Sequence, residues 1–550
     1  MKRRNRNQPG RGKPVLSAAP SPPEATARRL TIAGLALATV IGILLRTRTF
    51  QGAAQSWDAC EYVWAIEGRY LPHSPYLVHH VLGRLLATML PTGLALSLIS
   101  FVAGSASIPL LGAIVLRLTR NATAAVASAA LLAATPVHAW YSGVQEIYVL
   151  QGALGLAALL LAVSAGSRRD LAAGLAFGVA FAAHNGTAFL VPAFALALLR
   201  SPIGDAARPA WRTGRAFAAA LGMVGVVYGL VGVGFLLREG TAGLAPFAEY
   251  VRGIAPLPRE GGAWALDRVL GSWKSALRDG MGIPMVMWPL GLALGVVVLL
   301  RRRGDVALWL AWGAPFLAYE LLLGTNLDRG LYAIYAAIPL AALAGIGIGL
   351  VARPGSSRRG TTANASPAFA PSLRTPAAVS AFVLLLVPAT VAAWRAGTQK
   401  PSKSAFLSSA LIQTCLWIRD HTPAETVVVQ PPGLINVNLV PCYARRRPIV
   451  LQGGQHYLWV GARGSPLNLR SFRPLDRGVL GDLVRDGTPV YSFVPDPFEA
   501  LDPAPGDAGP RIHWTAVEAG IAVGAVPRKL TLWRLTPTSA NPSAPSLETG

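Results

Sequence analysis

The sequence predicts a polytopic α-helical membrane protein with a small extracytoplasmic α/β domain at its C-terminal end. Three observations lead there. Of 550 residues, 52% are hydrophobic and 14% charged, with mean hydropathy +0.43, far from the balance of a soluble enzyme. Apolar runs near the roughly 20 residues needed to cross a hydrocarbon core of about 30 Å recur about eleven times. Beyond Trp394 the composition changes to one amphipathic stretch and short β-branched runs.

Taken in order, residues 1–28 are basic and read as a disordered cytoplasmic tail. The membrane domain follows over 29–396, with apolar segments near 30–46, 93–116, 122–141, 144–165, 171–184, 187–199, 216–237, 283–300, 306–323, 332–351 and 376–394. The long basic stretch before the first segment marks it as a retained anchor, not a cleaved signal peptide. Segments 171–184 and 187–199 are too short to cross unaided. They are expected to form a broken pair meeting at Asn185-Gly186, where neighbouring protein satisfies the backbone. Gly345-Ile346-Gly347 inside a hydrophobic run reads as close helix packing. Residues 352–375, rich in Ser, Pro and Gly, read as a cytoplasmic linker.

In the outer domain, 397–535, residues 404–420 read as an amphipathic helix, Glu425 to Gln430 as a buried strand and Lys529 to Leu535 as a final strand. Residues 536–550 read as a disordered tail. Cys415 and Cys442 could pair in an oxidising compartment, although three cysteines at no metal spacing establish little.

Orientation follows from the arginines. With the N-terminus cytoplasmic, the basic N-terminal run, Arg117 and Arg120, Arg168-Arg169, Arg200 with Arg208, Arg212 and Arg215, the Arg301-Arg302-Arg303 triplet, and Arg353 with Arg358-Arg359 all fall in cytoplasmic loops. The net charge of +24 is then mainly a signal of topology in the cytoplasmic (inner or plasma) membrane, with some attraction to anionic lipid. Dispersed among loops, it does not form a nucleic-acid surface. This orientation puts the first outer loop (47–92), Glu146, His184, the loop 238–282 and Asp328-Arg329 on the outer face.

That first loop contains SWDACEYVWAIEGRYLPHSPYLVHHVLGRL, from Ser56 to Leu85. Asp58 and Glu61 are three residues apart and share one helix face, with Tyr62 beside them. Such a pair suits a general base tuned by a second carboxylate, or half of a divalent-metal site. It also suits an interfacial helix whose acids are solvated and whose Trp57, Tyr62 and Trp64 form an aromatic belt. Pro72-His73-Ser74-Pro75-Tyr76 interrupts the helix, after which His79, His80 and Arg84 gather within about a turn, a set suited to a phosphate. Glu146 stands at the start of a hydrophobic helix, where an ionisable group is costly and points to function or to a helix cap. His184 lies in an apolar run and could bond a neighbouring helix. Arg329 could pair with Asp328 or hold a lipid phosphate.

The run W-D-x-x-E-Y, P-H-x-P-Y and G-R-L (Trp57, Asp58, Glu61, Tyr62; Pro72, His73, Pro75, Tyr76; Gly83, Arg84, Leu85) resembles the first outer loop of GT-C glycosyltransferases. It is most similar to the protein O-mannosyltransferase-related family long catalogued as a domain of unknown function. Glu146 to Leu150, with Tyr148, resembles that family's E-V-Y-x-L motif. Gly174 to His184, with Thr187 and Pro192, resembles its G-L-x-x-G-x-x-x-x-x-H stretch. The resemblance covers about residues 30–200, and the chain has Ser74-Pro75-Tyr76 where the family usually has Pro-Pro-Gly.

The resemblance implies a GT-C-like fold and inverting transfer of a hexose, mannose for example, from a polyprenyl-phosphate donor to a hydroxyl on a protein, lipid or polysaccharide. It implies Asp58 as base, Glu61 as its neighbour, and no metal cofactor. Charge accumulates on the leaving phosphate, for which Arg84, His80 and Arg329 are the candidates. Tyr62, His73, Tyr76, Glu146, Tyr148 and His184 are expected to line the cavity.

A transporter or flippase of a lipid-linked envelope precursor is the main alternative. Against it, the polar residues cluster on one face and no inverted repeat is visible. A receptor or scaffold would not need the acids. No Walker-type loop, H-E-x-x-H or nucleophile elbow occurs.

Overall fold

The computed structural model describes residues 22–54, 56–68, 71, 76–164, 167–200, 209–252, 274, 276–301, 303–323, 334–352, 374–399, 409–430, 439–452, 455–459, 472–475, 479, 482–483, 486–493 and 532–535. Helix α1 (Pro22–Thr49) begins earlier than the sequence predicts, so residues 22–28, assigned above to the tail, are helical. Pro22 carries no N–H to leave unsatisfied in a first turn, and the Glu, Ala and Arg that follow are good helix formers. The remainder of that tail, residues 353–373 of the linker and 536–550 lie outside the described residues.

Two short helices, α2 (Trp57–Glu67) and α3 (Leu77–Ala87), precede the long α4 (Thr92–Thr119). The apolar segment read as 122–141 is broken into α5 (Ala122–Ala134) and α6 (Pro136–Tyr141). Pro136 is the cause: it has no donor and forces Thr135 out of the helical region, to ψ 118°. Then come α7 (Tyr148–Ala162), α8 (Ser167–Ala183), a 3₁₀ turn (Asn185–Leu190) and α9 (Val191–Arg200), which is the broken pair with its interruption at Asn185-Gly186. The bundle is completed by α10 (Pro209–Glu239), α11 (Leu244–Arg252), α12 (Trp288–Arg301), α13 (Arg303–Leu323), α14 (Ile334–Ala352) and α15 (Arg374–Gln399).

Among the described residues, α1, α4, α10, α14 and α15 are long and apolar enough to cross a membrane, and shorter apolar helices pack between them. The chain is an integral membrane protein. Its main core joins α4, α5, α7, α8, α9, α10, α12, α13, α14 and α15.

Small residues set the closest approaches. A Cβ at Gly345 would lie 2.1 Å from Ser128 Oγ and 2.4 Å from its backbone nitrogen, and one at Gly349 would lie 2.7 Å from Ala124 Cβ. The glycine run thus seats α14 against α5. Gly345→Val is expected to lower stability by about 1–3 kcal/mol or more through overpacking, read as a lower denaturant midpoint in detergent; an unchanged midpoint would refute this packing.

The C-terminal region contains α16 (Ala410–His421), capped by Ser409, and α17 (Leu439–Ala444). They accompany a six-stranded sheet in the order β4-β3-β2-β1-β5-β6. The strands are β1 (Val427–Val429), β2 (Arg447–Gln452), β3 (Gln455–Trp459), β4 (Phe472–Pro474), β5 (Val490–Ser492) and β6 (Trp533–Leu535). β1 pairs parallel with both β2 and β5 at the centre, where Val427, Val428 and Val429 are buried, while the outer pairings are antiparallel. Completely buried parallel strands are apolar throughout, which is why β1 is visible in the sequence.

Candidate active site

The site is built on α2. Ser56 caps this helix, its Oγ accepting from Ala59 N at 3.1 Å, and the same hydroxyl donates to Glu146 Oε1 at 2.7 Å. Glu146 is 5% exposed, and its backbone carbonyl accepts from Ser100 Oγ at 2.7 Å. Glu146 therefore holds the start of α2 from a position 90 residues away in the chain.

Asp58 is half-buried and Glu61 buried, one turn apart on α2. Burial pushes the Asp58 carboxyl up to about 6, because a charged carboxylate loses solvation there. Burial first, then the fields of Asp58, Tyr76, Glu146 and Glu61, push the Tyr62 phenol well above its ordinary value. The three acids named from the sequence thus converge around Tyr62.

Aromatic rings build the wall behind them. The Tyr62 and Tyr76 ring centroids are 6.2 Å apart, and those of Tyr62 and His79 5.1 Å. Tyr76 stacks on His184 at 4.8 Å, and Tyr148 lies 5.4 Å from His184. His184 caps the 3₁₀ turn, its Nδ1 accepting from Gly186 N at 2.8 Å, with Tyr335 OH 3.2 Å away. It therefore stabilises the break between α8 and α9 and faces the aromatic cluster as well.

On α3, His79 and His80 are buried and Arg84 is half-buried. Burial, and after it the Arg84 charge, hold His80 at about 4; burial, and after it His80, hold His79 at about 3. Both rings are neutral near pH 7, so Arg84 is the cation of this helix and His80 offers only neutral hydrogen bonds. His79 Nε2 and both His80 ring nitrogens have no partner among the described residues. His73 and Arg329 lie outside the described residues. Among the described residues no group of three or more His, Cys, Asp or Glu side chains could hold a metal ion.

The C-terminal region seats directly on α2. Tyr443 OH donates to Ala54 O at 2.9 Å, Arg445 pairs with Glu67 at 2.8 Å, and α17 packs along α2. All three cysteines are free and buried, and the Cys442 thiol meets Cys60, not the Cys415 considered from the sequence. Mild oxidation of the purified chain is expected to yield a Cys60–Cys442 linked peptide by mass spectrometry; a Cys415–Cys442 link would contradict this seating of α17.

Sequence reasoning did not single out Ser56 as a link to Glu146, nor Tyr335, Arg46 or His138. Tyr335 sits in the apolar LYAIYAAIPL, where nothing distinguishes it from an interfacial aromatic. Arg46 left one signal: with Arg48 it stands at the end of α1 that the expected topology places outside, against the charge pattern of the other loops.

No protein-family model matches the chain, and no curated protein matches it. Among solved structures, ArnT from Cupriavidus metallidurans in the apo state superposes with a TM-score of 0.57 at 12% identity, covering 93% of this chain and 98% of that one. The same protein bound to undecaprenyl phosphate gives 0.56 at 14% identity, covering 92% and 97%. The Archaeoglobus fulgidus oligosaccharyltransferase in complex with Zn and sulfate gives 0.45 at 15% identity, covering 76% of this chain. The chain spans only 62% of that protein's length. This chain has the fold of the ArnT structures.

Proposed function

We propose that this protein is a membrane glycosyltransferase that moves a hexose, mannose for example, from a polyprenyl-phosphate donor to an acceptor hydroxyl on the extracytoplasmic side, with Asp58 as general base. The observation that carries the reading is the placement of Asp58. Its carboxyl, raised to about 6, lies with Glu61 and Glu146 around Tyr62, on a loop helix of a fold shared with ArnT, a protein solved with undecaprenyl phosphate.

In this reading the acceptor oxygen attacks the anomeric carbon as the bond from that carbon to the phosphate oxygen breaks. The hydroxyl proton passes to the Asp58 carboxylate, and the polyprenyl phosphate leaves with the bonding pair. One displacement inverts the centre. A base whose pKa lies about one unit below neutrality is mostly ionised yet still takes a proton readily. Burial alone raises the Asp58 carboxyl, while Glu61 and Glu146 stand with it around Tyr62 and border the space the acceptor would enter. Arg84 is the described cation suited to the departing phosphate, with Arg329 a second candidate. The acceptor would be a protein, lipid or polysaccharide, and the α/β domain on α2 would help hold it.

Glycans on exported proteins and envelope polymers are compared by mass spectrometry in cells with the native gene, without it, and with Asp58→Asn at equal protein level. Loss of one hexose modification in both altered strains is expected, and identifies the acceptor. A deletion that alters the envelope while Asp58→Asn behaves as native would reject the base and favour a transporter or flippase.

A further inference from the structure

Asp58 sits in the first turn of α2, which at 11 residues is too short to cross a membrane. A helix of that length is marginal by itself, so its position has to come from outside it. The chain reaches α2 from α1 through residues 50–56. Two points of that connection, Gln51 and Ser56, are tied to the turn between α6 and α7, residues 142–147.

Gln145 makes the first tie. It is 1% exposed, and its Nε2 donates to Gln51 O and to Ser97 Oγ, both at 2.7 Å, with Gly93 O at 3.2 Å. Two of these neighbours are carbonyl oxygens, so the amide nitrogen must face them. The Ser97 hydroxyl accepts from Gln145 and donates its own proton to Gln51 O. Gln51 N in turn donates to Gly143 O at 2.8 Å.

Glu146, the next residue, makes the second tie, its Oε1 accepting from Ser56 Oγ at 2.7 Å. A carboxylate has only acceptors, so the Ser56 proton is committed to Glu146 and the lone pairs are left for Ala59 N, 3.1 Å away. Ser100 Oγ, on α4, holds the Glu146 carbonyl at 2.7 Å. Buried hydrogen bonds of fixed direction rigidify what they join.

We infer that Gln145 and Glu146 are positioning residues that fix Asp58 for proton transfer: as adjacent residues they grip both ends of the connection into α2, and so hold the first turn of that helix against α4. Gln145 acts through the backbone of Gln51, and Glu146 through the Ser56 hydroxyl. This role in catalysis rests on the glycosyltransferase reading.

The test adds the purified full chain to membranes from a strain that lacks the gene, which supply donor and acceptor. Hexose incorporation is measured by mass spectrometry across pH and across membrane concentration. Gln145→Met keeps the length of the side chain and removes its N–H donors. Ser56→Gly keeps most of the helix cap and removes the hydroxyl that Glu146 holds, while Ser56→Thr keeps both. Size-exclusion profiles and the Cys60–Cys442 link formed on mild oxidation establish that each variant folds with α17 on α2.

Gln145→Met and Ser56→Gly are each expected to lower the plateau rate about 10- to 100-fold, the scale of a misplacement near 1 Å, with the half-saturating membrane concentration within about two-fold of native. In both, the acid limb moves below its native midpoint of about 6, because a loosened first turn lets water reach the Asp58 carboxylate. Ser56→Thr recovers most of the rate and the midpoint. Native plateaus and midpoints in Gln145→Met and Ser56→Gly, with Asp58→Asn inactive, would overturn the positioning role and leave Asp58 as base. A rate that falls only with the amount of folded protein, its midpoint unmoved, would also overturn it, reducing the ties to support of the fold. Transfer by Asp58→Asn at the native rate would remove the base, and the positioning role with it.

Discussion

Asp58→Asn is expected to lower the rate of sugar transfer by about 10²- to 10⁴-fold, the range for removing a positioned general base, while the denaturant midpoint stays the same or rises. The two readouts move differently because of the sign of the shift at Asp58. Its folded carboxyl is raised to about 6, so the folded state binds the proton more tightly than the unfolded chain. The contribution of this group to stability therefore falls as pH rises from the unfolded value near 4 through about 6. Above that window a strained carboxylate remains, and an amide of the same shape removes it. A residue that merely supports α2 would instead lose stability on substitution.

The same shift sets the acid side of the pH profile. Transfer by the native chain is expected to reach half its plateau near pH 6 and to be lost below it as Asp58 takes up a proton; a limb centred near pH 4 would mean that the carboxyl is not desolvated during turnover. Glu61→Gln separates tuning from base chemistry. It is expected to leave the midpoint of the acid limb near pH 6, because burial is what raises the Asp58 carboxyl, and to retain much of the activity at pH 8.

Arg212→Ala is expected to destabilise the chain by about 3 kcal/mol, the scale for removing one partner of a buried pair. Asp170, on α8, has a completely buried carboxylate held by Arg212 of α10, with Oδ1 2.6 Å from Nη2 and Oδ2 2.9 Å from Nε. A two-pronged pair of this kind is directional as well as strong. Truncation of Arg212 strands the acid between the helices. Replacing both partners, Asp170→Leu with Arg212→Met, is expected to recover most of the loss, because the unpaired charge dominates the penalty. Denaturant titration in detergent measures both variants, and a double variant no better than Arg212→Ala would show that the helices need the ion pair itself.

Much of the architecture is legible before any contact is known. An apolar run in a membrane must satisfy its own backbone, so it must be helical, and every apolar segment read from the sequence coincides with one or more helices. The break at Asn185 and the close packing at Gly345 were visible for the same local reason. Asp58, Glu61 and Tyr62 of α2 are visible because charge is scarce in this chain and the three occur within five residues of one another. The N-terminal tail was read too long, since basic composition conceals the helix that begins at Pro22. The break before Pro136 was missed, since hydropathy continues through it.

The remaining features come from packing. Ser56 meets Glu146 across 90 residues, His184 meets Tyr335 across 151, and Tyr443 meets Ala54 across 389. Neither hydropathy nor the 3.6-residue period encodes which helices become neighbours. That depends on where small residues let backbones approach and where large ones fill the gaps. Arg46 and His138 show the consequence: as sequence they are a flanking arginine and a lone histidine, and only the seating of α6 against α1 turns them into a buried hydrogen-bonded pair. Composition and period thus establish the membrane class, the helices and the acidic first loop, because these depend on neighbours along the chain. The site's wall, the seating of the α/β region and the Arg46–His138 pair depend on neighbours in space, which the fold alone brings together.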